Sequence, residues 1–188
     1  DGYPADCVLA GLYHIMPERP DIILSGVNRG NNSAENVLYS GTIGAALEGA
    51  LQGIKSFALS QYLGPQNYET ADPFEASHVH GVDVLRSLIA RSDENSSDYD
   101  IFYNINFPPV PASEVKGHKF APQGRRKGSQ FSAIMQTAPN NREFLYVKGG
   151  NQHVEVGAHT DAGVNLDGYI SITPMRADFT AYDVLDRA

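Results

Sequence analysis

The sequence holds a single cysteine, Cys7, in 188 residues. An intrachain disulfide and a cysteine-rich zinc site are therefore excluded. No apolar run approaches the roughly 20 residues that a membrane-spanning helix needs, and no signal peptide is recognisable. Basic residues are in deficit, 14 against 22 acidic ones, for a net charge of −8. That sign argues against a general binder of nucleic-acid polymers or anionic membranes. A small anionic substrate would then need local help, from a metal ion or from helix N-termini. The G-x-S-x-G elbow of many serine hydrolases is missing, as are internal repeats, low-complexity tracts and any separate linker. With 41% apolar and 19% charged residues, the composition is that of a globular chain long enough for one domain with a full core.

What is present alternates between helical and extended patterns. Residues 4–16 place Val8, Leu9, Leu12, Ile15 and Met16 on one helical face, with Pro4 in the first turn. A strand is predicted at 21–24, where Ile22, Ile23 and Leu24 are adjacent, as in a strand covered on both faces. A helix from about 41 to 52 follows, with Ile43, Ala46, Leu47, Ala50, Leu51 and Ile54 at helical spacing and small residues between them. Phe57-Ala58-Leu59 reads as a strand, 76–91 as a helix through Val79, Val82, Leu85 and Ile89, 93–98 as a solvated loop, and 101–107 as a strand. The order α-β-α-β-α-β predicts a mainly parallel sheet flanked by helices. Further on, 116–121 and 143–148 have strand character, 149–168 reads as loop or arm, 169–174 is a last strand, and a helix starts near 180. The whole is predicted to be one domain, 1–188, with 116–158 as a projecting β arm.

One stretch carries chemistry: PDIILSGVNRGNNSAENVLYSGTIGAALEGALQGI, residues 20–54. Thirteen polar-rich residues, 26–38, separate the strand from the helix, longer than the connection requires. Asn28 falls just past the carboxyl end of what reads as a central strand, where open parallel sheets bind ligands. Its amide oxygen is a hard ligand suited to Mg²⁺ or Mn²⁺ if carboxylates supply charge. Asn32 adds an amide donor for phosphate oxygens. Ser40, Gly41 and Thr42 open the helix, where free N–H groups and the helix dipole favour an anion. On the residues alone a second reading stands beside this one: N-capping by Ser40 and turn formation by Asn and Gly.

SGVNRGNN followed by YSGTIGAALEGALQGI and FALS resembles the signature of the SurE family (survival protein E) of metal-dependent nucleotidases. GYPADCV at 2–8 is similar to that family's GTPxDCV, with Tyr3 where Thr is usual. NINFP at 104–108, VKG at 115–117 and TDAGVNLDGYISITPMRADFT at 160–180 match in the same order. The resemblance implies a Rossmann-like three-layer α/β sandwich with a mainly parallel sheet and a projecting β-hairpin arm. It also implies hydrolysis of nucleoside 5′- and 3′-monophosphates with a divalent metal, Mg²⁺ or Mn²⁺. Asn28 is then a metal ligand, and Asn32, Ser40, Gly41 and Thr42 line the phosphate pocket. Arms exchanged between subunits imply a homodimer or homotetramer, and a cytoplasmic location is expected.

In the family, an Asp-Asp pair and a serine that complete the metal site precede the GTPxDCV segment, where this sequence starts. A catalytically incomplete copy is therefore expected, with its water-activating group unassigned. The alternative is a non-catalytic phosphate-binding or oligomerisation module. Among the remaining residues, Gly124-Arg125-Arg126-Lys127-Gly128 reads as a solvated basic turn. His78 and His80 point apart on a helix, and His118, His153 and His159 are read as structural or exposed. Asp161 and Asp167 bracket a glycine-rich loop with no argument that either reaches the site.

Overall fold

The computed structural model describes residues 2–91, 99–128 and 131–185. The loop expected at 93–98 lies outside the described residues. Helix α1 (Pro4–Ala10) continues as a π-helical turn, Gly11–Ile15, and leads to β1 (Ile22–Arg29). A 3₁₀ helix, Ala34–Tyr39, precedes α2 (Gly41–Leu51) and β2 (Lys55–Gln61). Then come α3 (Glu75–Ile89), β3 (Phe102–Phe107), β4 (His118–Phe120), β5 (Ser132–Thr137), β6 (Glu143–Lys148), α4 (Asp161–Leu166), β7 (Ile170–Met175) and α5 (Tyr182–Leu185).

The main sheet has the order β1-β2-β3-β7-β4. Strands β1, β2 and β3 are parallel, β7 is antiparallel to β3, and β4 is parallel to β7. This is the mainly parallel α/β sandwich expected. The alternation of side chains along a strand decides what each face carries. Phe57, Leu59, Tyr103, Ile105 and Phe107 pack with Ala76, Val84 and Leu88 of α3 on one face. Ala58 and Phe102 pack with Ile43, Ala46 and Ala50 of α2 on the other.

Several expectations need correction. Strand β1 is the edge of the sheet and not a doubly covered strand, and Leu24 is 55% exposed. It also runs on to Arg29, so Asn28 belongs to the strand. A bulge between Ser25 and Asn28 interrupts the register there, and bulges re-aim side chains. Gly26, at φ +128°, sits so close to β2 that a Cβ would lie 2.3 Å from the Leu59 carbonyl oxygen. In α3 the buried face is Ser77, Gly81, Val84 and Leu88, while Val79 and Val82 face solvent. Gly81, which weakens helix propensity, lies on the contact face. Within the region assigned to a projecting arm, 116–158, β4 joins the main sheet beside β7; in the run 149–168, read as loop or arm, 161–165 form a buried helical turn. The projecting hairpin is β5–β6 alone, with every residue of both strands exposed.

Candidate functional site

The α2 face of the sheet turns polar toward the carboxyl ends of β2 and β3. Ser60 pairs in register with Asn106, and Ala58 with Asn104. On β7, Ser171 and Thr173 continue the same two rows. All of these polar residues are buried. The segment 30–33 lies on this floor. The Asn32 backbone N–H donates to Asn106 Oδ1 (2.7 Å), Asn106 Nδ2 donates to Asn104 Oδ1 (3.1 Å), and Asn104 Nδ2 donates to the Asn32 carbonyl (2.8 Å). Two side-chain amides thus close a ring with the backbone N–H and carbonyl of Asn32. Asn32 Nδ2 donates to Ser60 Oγ (2.8 Å), so the side chain read as a phosphate donor is also an anchor of its own loop.

A second clamp comes from the basic turn. Arg126, assigned above to a solvated turn, is 1% exposed. Its Nη1 donates to the Ser33 carbonyl (2.8 Å), and its Nη2 donates to Asn31 Oδ1 (2.9 Å) and Ser33 Oγ (2.7 Å). Its backbone N–H donates to the Glu35 carboxylate. Asp161 is fully buried and accepts from the N–H groups of Ala34 (2.9 Å), Gly124 (2.8 Å) and Ala162 (2.7 Å). Burial pushes its carboxyl above the ordinary value, against the pull of those three N–H groups and of the Arg126 charge. Ala34 has a left-handed φ of +52°, which costs a non-glycine residue about 1 kcal/mol. The Asp161 bond and complete burial hold it there. Asp167 instead makes a surface ion pair with Lys116 (2.9 Å). Nothing in the sequence pattern of 121–128 marked Arg126 as buried. The alternation Asn-Ile-Asn-Phe at 104–107, polar residues on one face of a buried strand, was the available signal for the amide floor.

The loop ends at α2. Ser40 is its N-cap, and its Oγ accepts from the Ile43 N–H (3.1 Å). The hydroxyl hydrogen is thereby left to donate outward. The N–H groups of Gly41 and Thr42 have no acceptor among the described residues, as the geometry of a helix start dictates. In the β1–α2–β2 unit this N-terminus and Asn28 both lie at the carboxyl edge of the parallel strands. Asn28 Nδ2 donates to the Gly30 carbonyl (3.0 Å), and no described donor reaches its Oδ1. No cluster of three or more His, Cys, Asp or Glu is placed to hold a metal among the described residues. One neutral amide oxygen does not hold Mg²⁺ or Mn²⁺ without anionic ligands. The described residues therefore do not by themselves make such a site.

A mainly parallel sheet with a hydrogen-bonded polar loop and an open helix start at its carboxyl edge places this chain among the α/β proteins of Rossmann-like architecture. The sequence model of the family described as "Survival protein SurE" matches residues 1–130. Over 187 residues the chain is 56% identical to a protein of Ruegeria pomeroyi named 5′-nucleotidase SurE, covering 99% of this chain and 72% of that one. A protein of Jannaschia sp. with the same name is 57% identical, covering 98% and 72%. The crystal structure of SurE protein from Aquifex aeolicus superposes with a TM-score of 0.74 at 33% identity, covering 100% of this chain and 72% of that one. The chain belongs to the SurE family.

Proposed function

We propose that the chain is a nucleotidase, a phosphomonoesterase acting on nucleoside 5′- and 3′-monophosphates, with the phosphate held at the start of α2. The observation that carries this reading is the pair of open N–H groups at Gly41 and Thr42, beside a loop that the amide ring and Arg126 hold rigid. Relatives named 5′-nucleotidase support it. Phosphate oxygens accept from those two N–H groups and from the hydroxyls of Ser40 and Thr42. Asn32 contributes its remaining amide N–H. As water adds in line and the nucleoside oxygen departs, these fixed donors stabilise the charge on the phosphoryl oxygens without reorganising. The family resemblance adds Mg²⁺ or Mn²⁺ with Asn28 as one ligand. The charged ligands of that ion are not supplied by a cluster among the described residues, so Asn28 stands as a partial ligand only.

The test is phosphate release from a panel of nucleoside monophosphates, with Mn²⁺ and with a chelator, beside the Ruegeria pomeroyi relative. Ser40→Ala combined with Thr42→Ala is expected to cut kcat/KM on the order of a hundredfold. Full activity in the double variant would remove the phosphate role of these residues. An inactive, folded chain beside an active relative would leave the phosphate-binding or oligomerisation reading instead. The exposed hairpin supports assembly into a homo-oligomer, under either reading.

A further inference from the structure

A cavity of about 470 Å³ opens at the end of β2, lined by Leu63, Gly64, Pro65, Tyr68, Glu69 and His153. It starts two residues beyond Gln61, which pairs with Arg29 in the β1–β2 register. The cavity is therefore one strand across from Asn28, at the same edge of the sheet as the phosphate loop. Contacts run from its surroundings to β1 and to the segment before Ser40. The Arg29 guanidinium lies 5.8 Å from the centroid of the Tyr68 ring. The Tyr62 hydroxyl donates to the Gln152 carbonyl, next to His153. Gln152 Oε1 accepts from Asn36 Nδ2 (2.7 Å), in the 3₁₀ helix that leads to Ser40.

The lining has a definite chemistry. His153 stacks on Tyr62 with ring centroids 5.2 Å apart and planes 9° from parallel, and the residue as a whole is exposed. Tyr68 is 56% exposed. Leu63 and Pro65 add aliphatic surface, and Glu69 adds the one carboxylate. A carboxylate repels phosphate, so this is no second phosphate subsite. Flat aromatic faces attract a planar ring, and the carboxylate accepts from an amino or ring N–H group on that ring.

We infer that this cavity receives the nucleobase of the nucleotide, which stacks on Tyr68 and His153 and donates to Glu69, while the ribose spans the one-strand gap to the phosphate loop. The inference rests on the nucleotidase reading above. It is tested on the intact chain by titrating adenosine and ribose 5-phosphate separately, while following the His153 imidazole and the Asn32 and Thr42 amides by NMR. Adenosine is expected to shift His153, and ribose 5-phosphate to shift the amides. Tyr68→Ala, at an exposed site, should weaken adenosine and adenosine monophosphate about tenfold, as expected for a lost base stack, and leave ribose 5-phosphate unchanged. If adenosine leaves His153 unmoved, or Tyr68→Ala weakens ribose 5-phosphate equally, the base site is overturned while the phosphate reading stands. If ribose 5-phosphate leaves the amides unmoved while adenosine still shifts His153, the phosphate reading falls and the cavity stands as a nucleoside site.

Discussion

Arg126 donates through both terminal nitrogens to three acceptors of the Asn31–Ser33 segment and is almost fully buried. A lysine has one nitrogen where the guanidinium has a planar fork, so Arg126→Lys leaves acceptors unmet. A loss of about 2–3 kcal/mol in urea unfolding is expected, as for hydrogen bonds to a charged group, together with weaker phosphate binding. An unchanged unfolding midpoint would show that the clamp contributes nothing. Asp161 gives a pH signature. Burial raises its pKa above 3.8, so the native chain keeps this proton to a higher pH than the unfolded chain does. Its contribution to stability then falls as pH rises from 3.8 to the raised value, and is flat outside that window. Asp161→Asn is expected to abolish that slope. It also sets an amide N–H₂ against a buried backbone donor, at a cost of about 1–3 kcal/mol. Unfolding curves for both proteins at a series of pH values check both effects, and identical slopes would remove Asp161 from the account.

At the scale of elements, local pattern and tertiary placement part company in α3, α4 and β1. The spacing of valines in α3 pointed to one face, and packing chose another: Val84 and Leu88 join Phe57, Leu59 and Phe107 in the core while Val79 and Val82 stay exposed. Helix α4 is six residues long and was hidden in a glycine-rich run. Its position depends on Gly163, where a Cβ would lie 2.3 Å from the Gly157 carbonyl oxygen. Gly163→Ala is expected to cost about 1–3 kcal/mol by overpacking and to loosen the anchor at Asp161. Gly44 in α2 is the control, since a Cβ there meets nothing within 4 Å. Gly44→Ala should be stabilising by about 0.5–1 kcal/mol through helix propensity alone. Thermal unfolding of the two variants separates these effects by sign.

At the scale of the molecule, the β5–β6 hairpin stands apart from both cores. A lone two-stranded hairpin is marginal in water, and this one exposes Ile134, Met135, Phe144, Leu145, Tyr146 and Val147. Ile134, Phe144 and Tyr146 share one face and Met135, Leu145 and Val147 the other, so the hairpin offers apolar surface to a partner on each face. Its base is tied to the site by the Tyr39–Phe131 ring contact, with centroids 4.7 Å apart, one residue before Ser40. Met135 and Leu145 are cross-strand partners. Replacing both with serine is expected to lower the mass measured by sedimentation equilibrium, whereas equal masses at all concentrations would exclude this face from assembly. None of the described helices is long and apolar enough to cross a membrane.

The sequence by itself determined the element order as far as β3, the mainly parallel sheet and the segment that carries Asn28, Asn32, Ser40, Gly41 and Thr42. Those features follow from local period, turn residues and helix-start chemistry, which operate over a few neighbouring positions. Only the tertiary structure decided that Arg126 and Asp161 are buried against the loop, 93 and 127 residues away from the groups they bind at Ser33 and Ala34. It alone placed Asn104 and Asn106 beneath Asn32. Burial of a charged or polar side chain depends on partners brought together by the chain's path through the sheet, and no local spacing encodes that path.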